Sequence, residues 1–319
     1  MNTISNLKPG DTVETFFLIK DSKQGVTTQG KPYMSMLLQD KSGSIDTKLW
    51  TVTKEEIAAL VPGVVIKVKG DIIDYRGKKQ MKILNHRMTQ PGDNVRASDF
   101  VESAPISEEE LFDKIMDYVI QIDDVELSRI VRHIVTKYKD EFLTFPAAKI
   151  NHHDFHSGLA YHVLCMLRQG EALVQIYPQV NSALLYSGII LHDIGKVKEL
   201  SGSVGVTYTR EGNLIGHIVI AAEEVNDAAR ELNINRDNES VLLLKHLILS
   251  HHGRLEYGSP KVPMVLEAEL LHFIDNIDAR IMMFDKHLKG IEPGEFTDRV
   301  FPLESRQLYQ PKIDESLIE

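Results

Sequence analysis

Imidazole and carboxylate side chains recur in this chain inside, or at the ends of, apolar runs. His162 stands in GLAYHVLCM, His192 and Asp193 adjoin in GIILHDIGKVKEL, His217 stands in LIGHIVIAAEEV, His251 and His252 adjoin in LILSHHGRLEYG, and Asp275 stands in LLHFIDNIDAR. A polar group carried into an apolar core needs a partner there, and an isolated histidine commonly finds one. Five such segments in series, about 20 to 35 residues apart, suggest instead that the groups are one another's partners. Imidazole and carboxylate without thiolate suit divalent Mn, Fe, Co, Ni or Mg better than a structural zinc. An aspartate beside a histidine can also bridge two cations with its two oxygens. Two cations about 3.5–4 Å apart clamp the attacking and departing oxygens of a phosphoryl displacement.

The bulk composition leaves room for such a site and narrows its setting. With 319 residues, 43% hydrophobic and 26% charged, the chain can bury two cores. The single cysteine, Cys165, excludes an intrachain disulfide, and its place between Leu164 and Met166 predicts a buried apolar role. MNTISNLKPGD lacks a basic region followed by an apolar run, and no later stretch approaches the roughly 18 apolar residues of a membrane span. A cytoplasmic protein without membrane attachment is expected. The net charge of −10 is uneven: residues 1–100 carry 15 Lys and Arg against 11 Asp and Glu, and the rest carry 21 against 35. One part is suited to a polyanion and the other to cations.

Ahead of the histidine-bearing segments, five alternating or β-branched runs predict strands over Thr12–Lys20, Tyr33–Asp40, Ser44–Trp50, Val64–Asp74 and Lys79–Met88, with a helix over Lys54–Leu60 after the third. Three strands, a helix and two strands is the OB-fold order. YMSMLLQDKSGSIDTKLW resembles the second and third strands of OB domains of the tRNA-anticodon-binding type. Such barrels hold single strands through basic side chains on phosphates and aromatic faces under bases. Lys20, Lys23, Lys31, Lys48, Arg76, Lys78 and Lys79 are candidates for the first role, and Phe17, Tyr33, Trp50 and Tyr75 for the second.

The proline-containing stretch PGDNVRASDFVESAPIS marks a linker. Beyond it, Ser107 with Glu110 and Asp123 with Glu126 predict two capped helices. The expected organisation is a multidomain α+β chain: a five-stranded OB barrel over 1–90, a linker over 91–106, a helical bridge over 107–150, an all-α core over 151–290 and a tail over 291–319.

The order His, His-Asp, His, His-His, Asp, together with HDIGK and the SHHG turn, resembles the HD-domain superfamily of metal-dependent phosphohydrolases over residues 151–290. That resemblance implies a first cation on His162, His192, Asp193 and Asp275. Asp193 bridges to a second cation completed by His217 and His251, with His252 alongside, and Lys196 faces the phosphate. His152, His153 and His156 precede His162 in a polar loop suited to touching substrate, and Gly195 is expected to turn the chain away after the His-Asp pair. OB and HD parts together resemble the YhaM-type 3′→5′ exoribonucleases, through NHHDFHSGLAYH, YTREGNLIGH and FPLESRQLYQP as well. Membership implies removal of nucleoside 5′-monophosphates from the 3′ ends of single-stranded RNA, with single-stranded DNA as a second substrate. Two cations would support it, Mn²⁺ foremost with Co²⁺, Fe²⁺ or Mg²⁺ as alternatives, and a homo-oligomer would help thread a strand. Two rival readings are an HD phosphodiesterase or nucleotidase on a small nucleotide with a regulatory OB domain, and a non-catalytic single-strand-binding factor.

Overall fold

The computed structural model describes residues 3–148, 153–235 and 237–312. Two units emerge, Met1–Ser103 with Ser201–Thr207, and Ala104–Leu200 with Tyr208–Glu319.

In the first, strands β1 (Thr12–Val26), β2 (Pro32–Asp40), β3 (Gly43–Trp50), β4 (Val65–Tyr75) and β5 (Lys78–Met88) close into a barrel in the order β1-β2-β3-β5-β4, with helix α1 (Lys54–Ala59) between β3 and β4. Only the β3–β5 pairing among these is parallel, and β4 pairs with β1 to close the ring. This is the OB-fold expected from the strand count and helix position. Val13, Ile19, Met34, Met36, Leu38, Ile66, Val68, Ile72 and Met81 fill its core. Thr53 and Glu56 start α1 with reciprocal caps, at 3.1 and 2.8 Å.

The barrel departs from expectation at two points. β1 runs on to Val26 past a bulge between Ile19 and Asp21, and the polar residues after Lys20 still pair with β2. An extra residue lets the long strand bend around a small barrel. Phe17, a candidate stacking face, is instead fully buried within the barrel. Residues 201–207 also belong to this unit, where Val204 packs on Leu18, Val65 and Val101. They fall within the all-α core expected over 151–290, and SGSVGVT carries no sign of which core it serves.

The second unit consists of helices α2 (Glu108–Ile120), α3 (Val125–Lys137), α4 (Lys139–Thr144), α5 (Gly158–Ile176), α6 (Ser182–Leu191), α7 (Lys196–Glu199), α8 (Arg210–Leu214), α9 (His217–Glu231), α10 (Glu239–Ser250) and α11 (Leu266–Leu288). Ser107 caps α2 as expected, whereas α3 is capped by Asp124, which accepts from the Leu127 amide at 2.9 Å, and not by Asp123. Leu111, Ile130 and Phe142 from α2–α4 join one apolar cluster with Leu159, Ile189, Leu244 and Leu271. At its centre lies α6, whose ten residues are all but entirely buried. A helix apolar on every face belongs inside, and α6 draws His192 and Asp193, the next two residues of the chain, into the core with it. No helix among the described residues is long and apolar enough to cross a membrane.

Candidate metal centre

His192 and His251 occupy equivalent local positions. Each is the buried residue on which a helix ends, α6 and α10 respectively, and each ring Nδ1 bonds a carbonyl three residues back, Ile189 at 2.8 Å and Ile248 at 2.7 Å. The last carbonyls of a helix have no intrahelical donor, so the imidazole N–H satisfies one. Bonding through Nδ1–H fixes the tautomer and leaves the Nε2 lone pair facing away, as in a metal ligand. Elsewhere a carboxylate does the orienting. His217, the first residue of α9, has Nδ1 3.0 Å from Glu199 Oε1, the same oxygen that accepts its main-chain N–H at 3.0 Å. His162, on α5, has Nδ1 2.6 Å from Asp278 Oδ2.

The inward atoms converge on Asp193. Its Oδ2 lies 3.2 Å from His192 Nε2 and 2.5 Å from Lys196 Nζ, and its Oδ1 lies 3.4 Å from His217 Nε2 and 3.8 Å from His251 Nε2. Across the cluster, His162 Nε2 is 3.2 Å from Asp275 Oδ1. Donor atoms of His162, His192 and Asp193 lie within 4.8 Å of one another, as do those of His192, His251 and Asp275, and those of His217, His251 and His252. His192 Nε2, His217 Nε2, His251 Nε2 and Asp193 Oδ1 are buried without a hydrogen-bond partner among the described residues. Orphaned polar atoms of this kind are costly in a core unless something joins them. An all-imidazole and carboxylate donor set fits a divalent cation as that group.

Electrostatics among the protein groups agree with a ligand set. Burial alone would raise the Asp193 carboxyl, but Lys196 and His192 hold it well below the usual carboxylate range. Asp275 is half-buried; its partial burial also favours the neutral acid, but His162 outweighs this and keeps the carboxyl low. Burial, followed by the neighbouring imidazoles, depresses His251 and His252, which favours their neutral, ligating form. His162 goes the other way: burial opposes its charge, yet Asp275 and Asp278 outweigh burial and push it up to about 9.

All seven expected ligands and Lys196 therefore meet in one place. Of the histidines in the loop before α5, His153 is turned into the core. His153 is 2% exposed, with Nε2 2.7 Å from Asp278 Oδ2, so it buttresses the carboxylate that orients His162. His156 pairs with Glu108 at 2.8 Å, and His152 lies outside the described residues. Asp278 and Glu199 are functional residues beyond the sequence expectation; for Asp278 the sequence does carry a signal, DNID, with carboxylates three apart on one helix face. Gly195 does not turn the chain away as expected. Its φ of −61° is helical, and its role is close approach, since a Cβ there would come within 2.1 Å of the His217 carbonyl oxygen.

On the barrel, Tyr33 and Trp50 are cross-strand partners with ring centroids 5.1 Å apart, and Lys48 Nζ lies 5.8 and 5.6 Å from the two rings. Tyr33 also pairs with Gly25 on β1, and a Cβ at Gly25 would meet the ring at 2.3 Å. Glycine at that position lets the ring lie over the strand, beside the exposed Trp50. Tyr75 and Arg76 are exposed at the β4–β5 turn, where Arg76 and Gly77 have φ of 56° and 77° and the guanidinium lies 5.4 Å from the ring centroid. Lys31 is exposed before β2 and Lys20 half-buried on β1, while Lys79 is committed to the Ile4 and Leu7 carbonyls at 2.9 and 3.0 Å.

The fold and site define a class: an OB barrel joined to a helical, metal-binding HD domain. The HD-domain family model matches residues 159–280. Curated relatives named 3′-5′ exoribonuclease YhaM match nearly end to end. That of Oceanobacillus iheyensis is 50% identical over 96% of this chain and 96% of its own. Those of Bacillus subtilis and Listeria welshimeri are 49% and 51% identical, over 95% and 96% of this chain and 96% and 97% of theirs. The chain belongs to the YhaM family. Among solved structures, the second OB-fold domain of replication protein A from Methanococcus maripaludis is 20% identical, covering 28% of this chain and 96% of that one with a TM-score of 0.21.

Proposed function

We propose that this chain is a divalent-metal-dependent 3′→5′ exoribonuclease of the cytoplasm, acting on single-stranded RNA and secondarily on single-stranded DNA. The observation that carries the reading is the convergence of orphaned imidazole atoms on buried Asp193, in a chain whose likeness to exoribonucleases runs through barrel and helices alike. That span speaks against both a small-nucleotide phosphodiesterase and a non-catalytic binding factor.

His162, His192, Asp193 and Asp275 would hold one cation, and His217 and His251 a second that shares Asp193, with His252 beside it. Mn²⁺ is the expected metal. When bound, such cations offset phosphate charge and lower the pKa of water. Water oxygen bonds to the terminal phosphorus, the bond from phosphorus to the 3′-oxygen breaks, and that oxygen takes a proton to leave as a hydroxyl. Lys196, fixed on Asp193 Oδ2, holds positive charge where the phosphate must sit. Glu199 and Asp278 keep His217 and His162 aimed inward. The barrel captures the strand electrostatically through Lys20, Lys31, Lys48 and Arg76, and under its bases through Tyr33, Trp50 and Tyr75. Incubating 5′-labelled single-stranded RNA with Mn²⁺, with and without chelator, tests the reading. A ladder shortening from the 3′ end with release of 5′-monophosphates is expected; internal cuts, or activity indifferent to chelator, would overturn it.

A further inference from the structure

The turn after α10, SHHGRLEYG from Ser250 to Gly258, is fixed against the metal centre at two points. His272 Nδ1 lies 3.0 Å from the His251 carbonyl oxygen, and His252 Nδ1 lies 2.8 Å from that of Tyr257. The His272 ring also covers Gly253, where a Cβ would come within 2.4 Å of it. Outward, this pinned turn presents an aromatic ring and a guanidinium, with Leu255 and Glu256 exposed between them. Tyr257 is 55% exposed, and the exposed Arg254 stands 5.7 Å from its ring centroid, with Glu256 3.7 Å from the guanidinium.

The tie to His252 sets the scale. With a C=O bond and a Cα–C bond beyond the 2.8 Å contact, the Tyr257 Cα stands about 5 Å from the His252 ring. A nucleotide whose phosphate occupies the metal centre carries its base one sugar away from that phosphate. Aromatic faces, with arginine beside them, hold bases without regard to sequence. We propose that Tyr257, backed by Arg254, is the stacking face for the base of the 3′-terminal nucleotide. The proposal rests on the exoribonuclease reading and adds a subsite to it: the enzyme engages the terminal base as well as the phosphate.

The test compares two RNA oligonucleotides with Mn²⁺, one ending in a normal nucleotide and one in an abasic ribose unit, for the wild type, Tyr257→Phe and Tyr257→Leu. Wild type and Tyr257→Phe should show a KM about tenfold lower for the base-bearing end, the size of one stacking interaction. In Tyr257→Leu, which keeps bulk without a π face, the ratio should fall to about one. Because each ratio is taken within one preparation, a reduced folded fraction cancels. A wild-type enzyme indifferent to the terminal base, or a Tyr257→Leu enzyme that keeps the preference, would overturn the proposal. If the wild type shortens neither oligonucleotide, the exoribonuclease reading itself fails and the stacking face falls with it.

Discussion

Asp278→Asn isolates the orientation of a ligand from the ligand itself. Asp278 Oδ2 lies 2.6 Å from His162 Nδ1 and 2.7 Å from His153 Nε2, and His162 is fully buried, so no water can replace the carboxylate. Asparagine keeps the size but removes the charge, and a charge-assisted bond is about twice as strong as its neutral counterpart. Removing a carboxylate that orients a metal-bound histidine costs about 10–100-fold in metal affinity, or roughly 1.4–2.7 kcal/mol. The dry surroundings place the expected loss toward the upper end. Calorimetric titration of the metal-free protein with Mn²⁺ measures it directly, and RNA shortening should require correspondingly more Mn²⁺. Asp285→Asn, an exposed carboxylate on the same helix, serves as control. Wild-type Mn²⁺ affinity in a cooperatively melting Asp278→Asn protein would refute the reasoning.

The same geometry dictates three further outcomes. Asp193→Asn should abolish hydrolysis while leaving single-strand binding by gel shift intact, and normal turnover would remove Asp193 from the metal centre. His162 is raised from 6.5 to about 9 in the metal-free protein, so its stabilisation is fully present below pH 6.5 and is lost as pH rises through about 9. The melting temperature without metal should fall across that window, and metal binding at pH 7.5 should release a proton, seen as a binding heat that varies with buffer ionisation; a buffer-independent heat contradicts a protonated His162. Gly25→Ala should displace the Tyr33 ring and weaken single-strand binding by about 1 kcal/mol, with little change in melting temperature because the ring can swing outward; unchanged affinity would exclude the Tyr33 face.

By itself the sequence determined the parts. Alternation in β2 and β3, the Ser107 cap and the apolar run before His192 are effects acting over a few residues, so strands, helices and most ligand types are legible there. The burial of Phe17 is not legible there, because aromaticity alone does not say which face of a bulged strand points inward. Tertiary structure decided which groups meet and how each is aimed. His162 and Asp278 are 116 residues apart, and His153 reaches the same carboxylate across 125. His217 takes its orientation from Glu199, and Gly195 answers to the backbone of α9 and not to a turn of its own. Local patterning is set by neighbours along the chain, whereas a tautomer, an orphaned lone pair or a forbidden Cβ is set by whatever packing brings alongside.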